Sequence, residues 1–169
     1  EGFETGDIIY NSGLLNILNS TFSLNFIDNA VVWNEKDLVI DTVEFSDNIV
    51  NVSSVVYSNV AAEIISSNFT DNYNSGNGGA IYNKNSLSIK GTVFTENEGY
   101  NGGAVYNEGT LEVINSTFED NTANGYGGAI FNDGEANIAN SSFSGGFSEK
   151  DGGALYNNNI TVVNNSTLV

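Results

Sequence analysis

The chain has 169 residues with 29 Asn, 19 Gly and 21 acidic groups against four Lys, a formal charge of −17 at pH 7, and no Arg, His, Cys, Met or Pro. Without His or Cys it cannot build a zinc site of the usual kind, a Ser-His-Asp triad, a cysteine nucleophile, a haem ligand set or a disulfide scaffold. The charge repels phosphate-rich partners and so argues against nucleic-acid binding, while 40% apolar residues supply more burial than a disordered acidic segment carries.

No stretch approaches the roughly 18 apolar residues that a bilayer span needs, so no membrane insertion by this segment is expected. The acidic start Glu1-Gly2-Phe3-Glu4 is unlike a signal peptide. The expectation is a fragment of a longer protein whose targeting and anchoring segments lie elsewhere.

A repeat organises everything between. Tyr10, Trp33, Tyr57, Tyr82, Tyr106, Phe131 and Tyr156 fall at spacings of 23, 24, 25, 24, 25 and 25 residues, and twelve residues after each stands Phe22, Phe45, Phe69, Phe94, Phe118, Phe143 or Leu168. With the first aromatic as position 0, the position +7 holds Ile17, Ile40, Ile64, Ile89, Val113, Ile138 and Val163. Each unit carries three apolar runs, near −2 to 0, +5 to +7 and +10 to +13. In chain order these predict strands around 8–10, 15–17 and 20–23, then 31–33, 38–40 and 43–46, then 55–57, 62–64 and 67–70. The series continues at 80–82, 87–89 and 92–95, at 104–106, 111–113 and 116–119, at 129–131, 136–138 and 141–144, and at 154–156, 161–163 and 166–169. The middle runs alternate apolar and polar, as in Leu111-Glu112-Val113, which marks half-buried strands. Asn, Gly, Ser and Asp fill the gaps and mark turns.

Three strands in about 24 residues fit an all-β fold: a parallel, right-handed β-helix solenoid of about seven coils, one domain over residues 1–169, with a change of composition near Ser75. A leucine-rich repeat needs its own Leu and Asn spacing, and a propeller blade needs about 40 residues. Stacking at about 4.8 Å per coil makes a rod of roughly 34 Å and turns each column into a ladder.

The Phe ladder (Phe22, Phe45, Phe69, Phe94, Phe118, Phe143) and the +7 aliphatics are the expected core. Asn at +15 (Asn25, Asn48, Asn72, Asn97, Asn121) and at +1 (Asn11, Asn34, Asn83, Asn107, Asn132, Asn157) are expected to form stacked amide ladders, because an amide both donates and accepts. The pairs Gly78-Gly79, Gly102-Gly103, Gly127-Gly128 and Gly152-Gly153 are expected at coil corners with positive φ or close backbone packing, and the first three coils, which lack them, to turn differently. The aromatic column at position 0 has two readings: core, or an exposed stripe for a partner. Its recurrence in seven units favours core.

One polar column stands out at +14, Asp47, Asp71, Glu96 and Asp120. Stacked carboxylates repel, which raises their proton affinity or recruits a cation; a solvated acidic edge is the plain reading and weak calcium binding the sharper one. No other cofactor is expected. Sequons begin at Asn19, Asn51, Asn68, Asn115, Asn140, Asn159, Asn164 and Asn165, some at turn positions.

The units Gly78-Gly79-Ala80-Ile81, Gly102-Gly103-Ala104-Val105, Gly127-Gly128-Ala129-Ile130 and Gly152-Gly153-Ala154-Leu155 resemble the Gly-Gly-Ala-aliphatic motif of the chlamydial polymorphic outer-membrane proteins. Phe22 to Asn25, Phe45 to Asn48, Phe69 to Asn72, Phe94 to Asn97 and Phe118 to Asn121 match that family's Phe-x-x-Asn motif. Archaeal adhesin-like surface proteins of methanogens are similar in style at Asn19-Ser20-Thr21-Phe22 and Asn115-Ser116-Thr117-Phe118. Departures are the missing Gly-Gly-Ala in coils one to three and Gly146 in place of the Asn after Phe143. The resemblance implies an extracellular, surface-displayed adhesin stalk or passenger, with host or neighbouring-cell glycans or surface proteins as partners. Scattered Lys, absent Arg and short loops argue against catalysis, so no catalytic residue is assigned. A β-helical polysaccharide lyase or hydrolase, a mechanical spacer and a phage or viral fibre segment remain alternatives. Open coil edges imply flanking coils or caps in the parent and end-to-end association of the segment.

Overall fold

A computed structural model describes residues 6–169 as a parallel β-solenoid. The fourth coil shows the plan: strands Ile81–Asn83, Ser86–Lys90, Val93–Thr95 and Glu98–Gly99 follow one another round the rod. Each strand pairs only with its counterparts one coil before and after, always in parallel, giving three sheets of seven strands and one of six. The register is unshifted: Tyr57 faces Tyr82, Ile64 faces Ile89, Phe69 faces Phe94. A one-residue slip would turn every inward side chain outward, so the 23- to 25-residue period is enforced by burial.

The predicted three-strand coil gains a fourth element. Two-residue strands such as Phe26–Ile27, Ile49–Val50 and Thr122–Ala123 form the six-stranded sheet. They are too short to show alternation, and their inward residue varies from Ile27 and Val50 to Asn74, Gly99 and Ala123, so no single side-chain type marks the column.

The core follows the +7 and +12 columns. Ile40, Ile64, Ile89, Val113 and Ile138 are buried, and Phe45, Phe69, Phe94, Phe118 and Phe143 are at most 1% exposed. From Phe22 to Phe143 the rings stack with centroids 4.6–5.1 Å apart and planes within 10°. Each fully buried Phe contributes about 2–3 kcal/mol. The rings thereby repeat at the spacing of the strands that carry them.

Both corner functions expected of the paired glycines occur, one at each residue. Gly78, Gly102, Gly127 and Gly152 adopt φ of 66–74°. Gly79, Gly103 and Gly128 have no room for a Cβ: at Gly103 it would collide with the carbonyls of Gly128 and Thr122. Asn29 and Ser53 hold the first place in earlier coils without positive φ, and there Ser54 Oγ donates to Asn77 O at 3.0 Å while buried Ser53 Oγ has no partner. Coils two and three therefore turn differently, whereas Gly6 in the first coil keeps a positive φ of 99°. Asn77-Gly78 and Asn101-Gly102 lie at these corners and Asn124-Gly125 just ahead of one; none makes a hairpin, since every strand pairing is parallel. No helix among the described residues is long and apolar enough to cross a membrane.

Candidate functional site

What faces outward is fixed by the first sheet. Its strands read in, out, in: Val56 and Ser58 are fully buried with Tyr57 between them half-buried, and Ile81 and Asn83 enclose Tyr82 in the same way, while in Val105–Asn107 the outward Tyr106 is covered by its neighbours to 9% exposure. The aliphatic and Asn face therefore points inward and the aromatic column is on the outside. That corrects the core reading favoured by its recurrence. Residues at −2, such as Val55 and Ala80, are buried too, because the chain bends into the strand just after them and breaks the period-two rule.

Recurrence without full burial has a cause: the rings bury one another. From Trp33 through Tyr57, Tyr82, Tyr106 and Phe131 to Tyr156, successive centroids lie 4.2–5.1 Å apart. Tyr126, from the corner ahead of Phe131, packs onto the column with its centroid 4.6 Å from Tyr156. Tyr10, at 60% exposure, is the most open member.

Carboxylates run alongside. Trp33 Nε1 donates to Glu35 Oε1 at 2.6 Å, and Asn59 Nδ2 donates to the same oxygen. The Tyr82 hydroxyl donates to Glu108 Oε1 at 2.6 Å; burial first, then this bond and the Glu108 charge, push its phenol far above the ordinary value. Burial, followed by the charges of Glu108 and Asp133, raises the Tyr106 phenol as well. Two of the four lysines join the column. Lys84 Nζ lies 6.0 Å from the Tyr57 ring centroid, its ammonium held above the usual lysine range chiefly by a hydrogen bond to Tyr57. Lys150 Nζ lies 4.7 Å from the Tyr126 centroid and 5.9 Å from that of Tyr100.

Both amide ladders form. At +15, Asn25, Asn48 and Asn72 each donate Nδ2 and backbone N to Oδ1 of the next Asn, and Asn97 does the same to Asn121. Asn48, Asn72, Asn97 and Asn121 also donate to the carbonyls of Phe22, Phe45, Phe69 and Phe94. At +1 the chain runs Asn11, Asn34, Ser58, then Asn83, Asn107, Asn132 and Asn157. These amides are committed to the backbone, so they are structural.

A third ladder escaped the sequence reading. Ser67, Thr92, Ser116, Ser141 and Ser166 at +10 each accept from the backbone N of the residue one coil back, and each donates to the carbonyl two residues earlier. Its signal was a hydroxyl column broken only by Val43.

The acidic column lies on an exposed corner. Asp47, Asp71, Glu96 and Asp120 all have positive φ, 52–55°, between the third and fourth strands. Glu96 is held above the usual carboxylate range by its hydrogen bond to Asp71 first, then by the charges of Asp71, Asp120 and Glu119. Among the described residues no group of three or more acidic side chains is placed to hold a metal ion. The four carboxylates are strung along the rod rather than gathered round a point.

One groove, of about 380 Å³, crosses the outer face of the second sheet in coils four to seven, with Ser88, Glu112, Glu135, Asn137 and Ile160 in its lining. Ser88 Oγ donates to Glu112 Oε2 at 3.1 Å.

The fold and this ladder architecture define a parallel β-solenoid repeat protein. Residues 66–84 and 115–133 match the Chlamydia polymorphic membrane protein repeat. Both segments cover the same phase, from the corner before the third strand, through Phe69-Thr70-Asp71-Asn72 or Phe118-Glu119-Asp120-Asn121 and the Gly-Gly-Ala corner, to just past the next aromatic. These two segments are similar to repeats of that family, which suggest an outer-membrane or surface protein. No curated protein and no solved structure matches it.

Proposed function

We propose that this chain is a non-enzymatic, adhesin-like stalk or passenger segment of a cell-surface protein, displayed outside the cell. It presents a repetitive face to glycans or surface proteins of host or neighbouring cells. The observation that carries this reading is the outward aromatic column: stacked rings from Trp33 to Tyr156 make a continuous, partly exposed strip along the solvent side of the rod, and contiguous apolar surface marks interaction sites. The polymorphic membrane protein repeat supports surface display.

Particles coated with residues 1–169 should adhere to animal or neighbouring-cell surfaces, and Tyr57→Ser with Tyr156→Ser should lower adhesion about tenfold without loss of fold by circular dichroism. Adhesion unchanged by that pair would contradict the reading. A carbohydrate-active alternative is favoured by the groove bearing Glu112 and Glu135. Release of reducing or unsaturated sugars from acidic polysaccharides, lost in Glu112→Gln, would establish it instead.

A further inference from the structure

We propose that the aromatic column and the carboxylates beside it dock a lysine- and arginine-rich segment of a partner protein. This rests on the surface-display reading above and names the partner class for its outer face.

The charge is uncompensated. Against 21 acidic groups stand four lysines, and the ion pair among the described residues is Lys90–Glu63 at 2.8 Å. A rod of this charge attracts basic partners from a distance. Glu35, Glu108 and Asp133 concentrate part of it on one flank of the column.

The protein's own lysines show the fit. Lys84 Nζ lies 6.0 Å from the Tyr57 ring centroid, and Lys150 Nζ lies over Tyr126 at 4.7 Å, beside Tyr100. Long basic side chains lay their methylene stems on apolar surface and keep their heads with acceptors, and the column offers both: ring edges below, phenol oxygens and carboxylates at the rim. Sugars are a poorer match. They stack on open aromatic faces, and here each interior face is already covered by the next ring at 4.2–5.1 Å. The spacing suits an extended peptide as well: two coils advance about 9.6 Å and three residues of an extended polyproline-type chain about 9.3 Å, so a basic residue at every third position meets every second coil.

Trp33 is the single tryptophan and heads the stacked column, so its emission reports docking. Titration of residues 1–169 with oligolysine or oligoarginine is expected to give a saturable change in that emission that weakens with added salt, and oligoglutamate is expected to give none. Glu35→Gln, Glu108→Gln and Asp133→Asn together should weaken oligolysine about tenfold. A variant removing the same charge elsewhere, Asp37→Asn, Asp41→Asn and Glu44→Gln, should weaken it by no more than about twofold. Equal losses in the two variants would overturn the proposal in favour of diffuse attraction, and so would a neutral chitin or cellulose oligosaccharide that saturates and displaces oligolysine. Coated particles that adhere to cells yet are not displaced by oligolysine also overturn it, while surface display stands. Particles that adhere to nothing, with column-specific oligolysine binding intact, leave docking supported and the adhesive role refuted.

Discussion

Thr42 stands at φ 57°, a left-handed conformation that a β-branched residue adopts at a cost of about 1–2 kcal/mol. Its column, +9, is the corner between the second and third strands, and the same conformation recurs at Asn19, Ser66, Gly91, Asn115, Asn140 and Asn165. Asn and Gly are the residues that tolerate it, which explains why four of the seven places are Asn and why sequon asparagines accumulate there. Thr42→Asn is therefore expected to stabilise the fold by about 1 kcal/mol, read as a higher urea midpoint with an unchanged slope. The next corner, +14, follows the same logic with poorer residues. Leu24 sits there at φ 56° and 69% exposed, and the four acids complete the column before Gly145.

At the scale of the element, the acidic corner is a strained strip of like charges. Glu96 binds its proton more tightly in the folded protein than its ordinary value of 4.5, so between the two values the folded state carries more protons than the unfolded one and stability falls as pH rises. Lowering the pH from about 7 toward about 5 should raise the melting temperature, and Glu96→Gln should raise it at neutral pH and flatten that dependence. A melting temperature that falls on mild acidification, equally in both proteins, would contradict the account. What the sequence showed at this scale was uneven. The Phe, +7 and Asn columns were legible because one side-chain type recurs and burial tolerates little else. The fourth sheet was not, since two-residue strands have no period and Asn74, Gly99 and Ala123 share one inward place. The aromatic column misled because an aromatic ring in every unit resembles a core signature. Mutual stacking conserves the ring as effectively as burial does, and only the buried Asn and aliphatics on either side reveal which way the strand faces.

In the whole molecule, contacts run from each coil to its neighbours, so stability is a sum of coil and interface terms. Inward positions lose cover at the last coil, where Val163 and Leu168 are 41% and 43% exposed although they continue the +7 and +12 columns. End-to-end association of this polypeptide through such surfaces belongs with the proposed reading of a surface rod. The rod itself is the premise on which the aromatic strip, the charge column and the docking proposal all depend. Asn16 and Asn137 occupy the same outward +6 place of the second sheet, in the first and sixth coils. With no native cysteine, Asn16→Cys and Asn137→Cys can carry spin labels, and five coil steps put the two sites about 24 Å apart. Pulsed electron–electron resonance should give one narrow distance distribution centred near that value. A broad distribution, or a mean displaced by more than about one coil spacing of 5 Å, would contradict the stacked solenoid and everything built on it.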